Sequence, residues 1–191
     1  MSDRKLDWTI HLLAALIIAG LVHIVTILIL PRVASRDSYA RIASVAPINR
    51  FTPLPDARPG VELLPMQDPA LARSACRFDL SAGPVRVRAD VRGLEGMLTL
   101  SFHDRRGGSF YATTDRGALR GGIDVMLLTR DQMTALEALD LEDETPQELL
   151  LMAPTHEGFV LAGSLALDAG DLDAARKRLA LLSCGRESPR R

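Results

Sequence analysis

From Thr9 to Leu30 the chain runs for 22 residues without a formal charge. Roughly 20 apolar residues are needed for a helix to cross the hydrocarbon core of a bilayer, so the stretch is long enough to span one. Trp8 stands at one edge, where an indole suits the membrane interface, and Pro31 with Arg32 closes the apolar run at the other. The polar members His11, His23 and Thr26 are expected near the ends of the span or against a neighbouring helix. Arg4 and Lys5 ahead of the run, and Val33-Ala34-Ser35 after it, resemble a signal peptide with its cleavage site. The apolar core is too long for such a leader, and a retained span in the lipid bilayer is the better reading.

Arg4, Lys5 and the amino terminus precede the span, while Arg32, Arg36 and Arg41 follow it, so the positive-inside count does not set the orientation. A short basic tail before a first helix usually stays in the cytoplasm. The expected arrangement is therefore a single-pass protein of the bacterial inner membrane with its C-terminal domain in the periplasm. What remains of the 191 residues has room for one domain of ordinary size. Basic and acidic side chains nearly cancel, 23 against 24, which argues against a nucleic-acid partner.

The division expected is a tail at 1–8, a transmembrane helix at 9–30, a tether or strap at 31–72, a globular domain at 73–185 and a disordered tail at 186–191. Six prolines between Pro47 and Pro69 remove backbone donors and favour extended backbone. That segment reads as a stiff spacer, or as an ordered strap packed on the domain. A short helix over Arg36 to Val45 could lie against membrane or domain.

From Arg77 the period becomes two: Val85, Val87, Ala89 and Val91 alternate with Arg86, Arg88, Asp90 and Arg92, the pattern of a strand with one wet face. Met97 to Phe102, Ser109 to Thr113 and Ile123 to Leu128 follow as strands punctuated by glycines, which predicts an antiparallel meander. Thr129 is an N-cap for a helix from Arg130 to Leu139, and Glu148 to Met152 and Gly158 to Leu167 return to strand. Asp171 can cap a last helix whose Leu172, Ala175, Leu179 and Leu182 share one face, suited to pack on the sheet. The fold class is α+β: a transmembrane helix, a mainly antiparallel, sandwich-like β domain and a C-terminal packing helix.

Cys76, at the start of the first strand, and Cys184, at the end of the last helix, are expected to form a disulfide, which persists in the periplasm and is rare in the cytosol. The alternative is two unrelated buried thiols. Two cysteines do not make a metal site, and neither a metal nor a cofactor is expected.

His103-Asp104 and His156 are the only histidines beyond the span, and Ser101, Ser109 or Ser164 could nominally complete a hydrolytic set. No Gly-x-Ser-x-Gly elbow or His-Glu-x-x-His pair supports one, so the reading leans away from an enzyme. Arg105-Arg106-Gly107-Gly108 and Arg120-Gly121-Gly122 could seat an anion such as a lipid phosphate, with His103 as proton carrier. Ordinary hairpin turns are the stronger reading, since only Lys5 and Lys177 are lysines and arginine is the default basic residue here. The acids Asp140, Glu142, Asp143, Glu144 and Glu148 lack the spacing of an EF-hand loop and read as a solvated loop. Arg73 to Arg120 carries nine arginines against five acids, whereas Gly121 to Asp171 carries one against eleven. This uneven charge is either complementary between neighbouring strands or a pair of faces for a partner.

Asp68-Pro69-Ala70-Leu71, the run Cys76-Arg77-Phe78-Asp79-Leu80-Ser81-Ala82-Gly83-Pro84-Val85, and Met97 to Asp104 resemble the bacterial family called domain of unknown function 1254, over roughly Pro65 to Asp140. The resemblance implies a β-rich, exported module that in longer members precedes a second module, domain of unknown function 1214. No such module follows here, so it also implies a second small membrane protein that carries the complementary module. Longer members have an Asn-x-Asp-Thr-x-Tyr type motif before the Asp-Leu-Ser strand, of which Asp68 alone remains. Together these features suggest a non-catalytic envelope domain that binds a protein partner, or alternatively a module for a small anionic ligand.

Overall fold

The computed structural model describes residues 2–58, 60, 62–93, 96–138, 148–166 and 168–187. Its first element, α1 (Ser2–Ala43), contains the apolar span and continues past Pro31, where an end was expected. Of α1, Arg4–Leu30 is apolar enough to cross a membrane and is wholly exposed on the protein. The helix continues because its far end has something to bury: Tyr39 and Ile42 are closed from solvent against the domain.

The strands are β1 (Thr52–Pro53), β2 (Leu71–Asp79), β3 (Val85–Asp90), β4 (Leu98–Asp104), β5 (Ser109–Thr114), β6 (Gly122–Leu128), β7 (Leu149–Met152), β8 (Glu157–Leu165) and β9 (Ser183–Arg186). Helix α2 (Arg130–Ala138) follows β6, and α3 (Leu172–Ala180) follows β8. Leu139, Leu167 and the acids from Asp140 to Glu144 lie outside the described residues.

The strands form two sheets rather than one meander. Sheet A has the order β1-β2-β8-β4-β5 and sheet B the order β7-β6-β3-β9. Neighbours are antiparallel except β6 and β7, which run parallel. The strands predicted as successive hairpin partners, β3 with β4 and β5 with β6, therefore lie in different sheets. Glycine-rich links serve a crossing between sheets as well as a hairpin, so punctuation alone could not separate the two. Each strand buries its apolar face between the sheets: Val85, Val87 and Ala89 from β3, Leu98, Leu100 and Phe102 from β4, and Val125 and Leu127 from β6.

Cys76 and Cys184 are joined in a disulfide. Cys76 lies in the middle of β2 and Cys184 on β9, not at a helix end, so the bond ties one sheet to the other across the core. The tail expected to be disordered begins too early. Arg186 ends β9, and the Glu187 amide donates to the Pro84 carbonyl at 3.0 Å; residues 188–191 lie outside the described residues.

Helix α2 begins with a reciprocal cap: the Gln132 amide donates to Thr129 Oγ1 at 3.2 Å and the Thr129 amide to Gln132 Oε1 at 3.0 Å. Asp171 occupies the N-cap position of α3 without a side-chain hydrogen bond. Ala175 and Leu179 bury the inner side of α3, which contacts β2 and β8. Arg178 satisfies the buried Ser164 hydroxyl, donating to its Oγ at 2.9 Å and to the Leu165 carbonyl at 2.9 Å.

The proline-rich segment is a strap. Thr52 and Pro53 pair with Ala75 and Ser74 at the edge of sheet A, the Leu54 amide donates to the Arg73 carbonyl at 2.9 Å, and the Asn49 amide donates to the Arg77 carbonyl at 2.6 Å. Arg176 of α3 holds Asp56 at 2.8 Å. Tyr39, Ile42, Ala46, Leu54 and Leu64 thereby cover Ala75 and Phe159 on the outer face of sheet A, a second core.

The disulfide closes a loop with a sequence separation of 108. By the chain-entropy account a loop of that size is worth about 4 to 5 kcal/mol. Replacing Cys76 and Cys184 together by alanine is expected to lower the unfolding free energy of the detergent-solubilised chain by several kcal/mol in a urea titration. An unchanged midpoint would show that the inter-sheet bond contributes nothing.

Candidate functional site

The histidine and two of the three arginines singled out in the sequence meet at one corner of sheet A. The two-residue period of β4 buries Leu98, Leu100 and Phe102 and turns Thr99, Ser101 and His103 to the outer face. The register shifts between Phe102 and His103, and the chain then turns through Arg105 to Gly108 into β5. Asp104 organises that turn: its Oδ1 accepts from the amides of Arg106 and Gly108, each at 2.8 Å. Gly107 adopts a φ of 87°, a conformation that glycine takes without strain. Because a carboxylate of the chain already holds these amides, the turn does not offer them to an outside anion.

His103 lies flat on Phe159, with ring centroids 4.7 Å apart and planes 6° from parallel. Its Nε2 is 2.9 Å from Ser101 Oγ and its Nδ1 is 3.3 Å from the Gly107 carbonyl. Burial pushes the imidazole below its usual pKa, while the Gly107 carbonyl and the Asp104 charge pull it partly back. A neutral ring satisfies both contacts, with Nδ1–H donating to Gly107 and Nε2 accepting from Ser101. The structure thus brings Ser101 and His103 within hydrogen-bond reach, although they lie on a sheet face packed by Phe159. Their spacing of two along one strand is enough to explain the contact.

Arg105 belongs to the junction between helix and domain. Its guanidinium lies 3.9 Å from the centre of the Tyr39 ring, and its Nε donates to Glu157 Oε2 at 3.2 Å. Arg77 of β2 also lies over the Tyr39 ring, at 5.0 Å, and donates to the Tyr39 hydroxyl at 3.3 Å and to the Ala46 carbonyl at 3.3 Å. The hydroxyl in turn donates to Glu157 Oε2 at 3.3 Å. Tyr39, Arg77 and Glu157 were not singled out in the sequence, since their partners are up to 118 residues away. The Arg106 side chain is exposed. Arg120 is not part of this corner: it sits at a φ of 53° just before β6, beyond the far end of β5.

His156 is separate again, in the turn before β8. It lines a cleft of about 560 Å³ with Phe110, Thr129, Arg130, Asp131 and Thr155, where Arg130 and Asp131 bring opposite charges. Asp68, the remnant of the family motif, caps the start of β2, its Oδ1 accepting from the Ala70 amide at 2.9 Å. Among the described residues, no three His, Cys, Asp or Glu side chains are grouped to hold a metal.

A second polar cluster stands on the outer face of sheet B. Arg86 of β3, its side chain only 11% exposed, donates to Asp124 at 2.7 and 2.8 Å and pairs with Glu148 and with Glu187 at 3.1 Å. Arg88 adds a bond to Asp124 at 3.2 Å. Part of the uneven charge along the sequence is therefore complementarity between neighbouring strands. Burial pushes the Asp124 carboxyl up, but the hydrogen bonds from Arg86 and Arg88 outweigh it and hold the group below its usual value.

A carboxylate depressed in this way stabilises the fold above its unfolded value and ceases to do so as pH falls through the folded one. Asp124→Asn is expected to cost about 1 to 2 kcal/mol at neutral pH and to flatten the loss of stability below about pH 4. Urea titrations from pH 7 down to pH 2.5 check both, and parallel pH profiles for the two proteins would rule out the assignment.

No protein-family model matches the chain, and no curated protein matches it. Among solved structures it is similar to the VPA0106 protein from Vibrio parahaemolyticus, at 16% identity and a TM-score of 0.54, over 82% of this chain and 37% of that one. A crystal structure of an uncharacterised protein from Burkholderia cenocepacia aligns at 13% identity and a TM-score of 0.44, over 69% of this chain and 36% of that one. The chain spans little more than a third of the Vibrio protein's length, and with that third it shares a fold.

Proposed function

We propose that this is a single-pass inner-membrane protein whose β domain stands in the bacterial periplasm and binds a protein partner there without catalysing a reaction. Support for the anchor comes from the exposure of Arg4–Leu30: a long apolar helix with none of its surface covered by the domain needs lipid around it. Support for an exported domain comes from the disulfide, a bond that persists in oxidising compartments.

The observation that carries the partner is the edge strand β5. It is the longest of the four strands at sheet edges, and its sequence, Ser-Phe-Tyr-Ala-Thr-Thr, holds neither charge nor proline. Natural sheets usually blunt an exposed edge with such residues, because unpaired backbone groups there recruit another strand. Among the described residues no strand pairs with the outer side of β5. The resemblance to domain of unknown function 1254 suggests who would supply one: a second small membrane protein carrying the complementary module.

A small-anion module fits less well. The amides of the Arg105–Gly108 turn are engaged, Arg105 is committed to Tyr39 and Glu157, and Arg120 is elsewhere.

Crosslinking in intact cells followed by affinity capture of the full-length chain is expected to recover one membrane protein in stoichiometric yield. Ala112→Lys, which places a charge on the exposed edge, should reduce that recovery at least fivefold while leaving the Cys76–Cys184 bond formed. Undiminished capture by Ala112→Lys would move the interface off β5, and no specific partner at all would defeat the reading.

A further inference from the structure

The cleft beside His156 opens where the two sheets end: β5 is an edge of sheet A and β7 an edge of sheet B. Phe110 of β5, Leu151 and Met152 of β7, and Ala153 form its apolar wall, and Phe110, Leu151 and Ala153 also pack into the core between the sheets. Thr129, Arg130 and Asp131 at the start of α2, with Thr155 and His156 from the turn before β8, supply its polar side. A volume of about 560 Å³ lies within the range of ligand pockets, and an apolar wall met by a few polar groups is the arrangement such pockets share.

The polar groups differ in what they can still bond. Thr155 is committed, its Oγ1 accepting from the Arg105 amide at 3.2 Å and donating to the Glu157 carbonyl at 2.6 Å. Thr129 Oγ1 accepts from the Gln132 amide, which leaves its hydroxyl proton to be donated. Among the described residues, the side chains of Arg130, Asp131 and His156 make no hydrogen bond or ion pair. Three of these side chains can therefore donate into the cleft, and Asp131 alone only accepts. A guanidinium, a hydroxyl and an imidazole beside an apolar wall suit a carboxylate borne by an apolar group.

Strand direction says how such a group would arrive. Neighbours in sheet A are all antiparallel. Strand β5 begins at the cleft, with Phe110 its second residue. A strand added antiparallel to the outer edge of β5 runs from the Thr114 end toward Ser109, so it is the C-terminal end of the incoming strand that reaches the cleft. Every second side chain of that strand faces the apolar interior.

We infer that the cleft receives the C-terminus of the partner: an extended segment whose last, apolar side chain lies on Phe110, Leu151 and Met152 and whose α-carboxylate is held by Arg130, Thr129 and His156. The inference rests on β5 being the partner's edge, as proposed above, and it names the part of the partner that binds there. Main-chain pairing with a sheet edge supplies affinity in this kind of recognition, and a pocket for the chain end supplies specificity. Asp131, which cannot answer a carboxylate, is left for an N–H of the same chain end.

The test uses the full-length chain in phosphatidylcholine nanodiscs and two fluorescein-labelled peptides read by fluorescence anisotropy. One is Thr-Val-Thr-Val-Thr-Phe with a free carboxylate, and the other is the same peptide ended by an amide. The acid is expected to bind about tenfold more tightly than the amide. Arg130→Gln, which keeps the Thr129 and Gln132 cap, should remove most of that difference by weakening the acid and leaving the amide unchanged. Met152→Asp should weaken both peptides, and Ala112→Lys should abolish the binding of both. Equal affinity for acid and amide, or an Arg130→Gln that weakens both alike, would overturn the captured chain end and leave the edge strand standing. An acid preference that survives Ala112→Lys would show that the cleft takes a small free acid, which excludes the strand. If neither peptide binds, this inference falls, and capture from cells by Ala112→Lys decides separately whether β5 is the partner's edge.

Discussion

Strand β8 imposes the constraint on which the rest of the molecule depends. It lies in the middle of sheet A, between β2 and β4, and six of its nine residues are buried. Val160 and Ala162 face sheet B, while Phe159 and Leu161 face the other way. A strand that is apolar on both faces needs cover on both sides. Sheet B and α3 supply one cover; the end of α1 and the strap supply the other. Fully burying a side chain such as Ile42 or Phe159 is worth about 1.5 to 3 kcal/mol, so a helix end that carries Tyr39 and Ile42 has good reason to stay docked. Gly158 shows how tightly the inner side is filled, since a Cβ there would strike the Phe78 ring and the His103 carbonyl oxygen.

The charges follow from the same topology. Sheet pairing brings the arginine-rich first half of the domain beside the acid-rich second half: β3 lies on β6, which sets Arg86 and Arg88 on Asp124. The turn after β4 meets the start of β8, which sets Arg105 on Glu157. Arg86 is the most consequential of these. Being nearly closed from solvent, it would be a costly unpaired charge without its carboxylates, and through Glu148 and Glu187 it fixes the approach to β7 and the exit from β9.

Periodicity made much of this legible, and pairing made the rest obscure. The alternation of Val85 to Asp90 and the spacing of Leu172, Ala175 and Leu179 each placed an element close to where it lies. Most of β2 was missed because Ala72, Ser74 and Cys76 are small or polar yet buried, so the strand does not alternate in hydropathy. The distribution of strands between two sheets was invisible for a related reason: each strand needs an apolar face, whichever sheet it joins. At the candidate site, His103, Arg105 and Arg106 were bound to lie together as neighbours in sequence. Tyr39 and Glu157, which decide what Arg105 does, come from elements brought in only by the fold.

Docking of α1 also changes what kind of mount the domain has. A loose tether would let the domain sample a wide volume above a bilayer, and of the two readings of the Pro47 to Pro69 segment, stiff spacer or ordered strap, the strap is the one observed. Asn49 to Leu54 run back along β2, and the helix continues 13 residues beyond Leu30 before it ends at Ala43, a rise of about 20 Å. If α1 spans a membrane, as proposed, the docked end of the same helix carries the domain. On that proposal, a partner in the same membrane would need only to diffuse in two dimensions to present a strand to the free edge of β5. Such pre-alignment removes part of the orientational cost of association, which is how a modest edge of six residues could suffice to hold a partner.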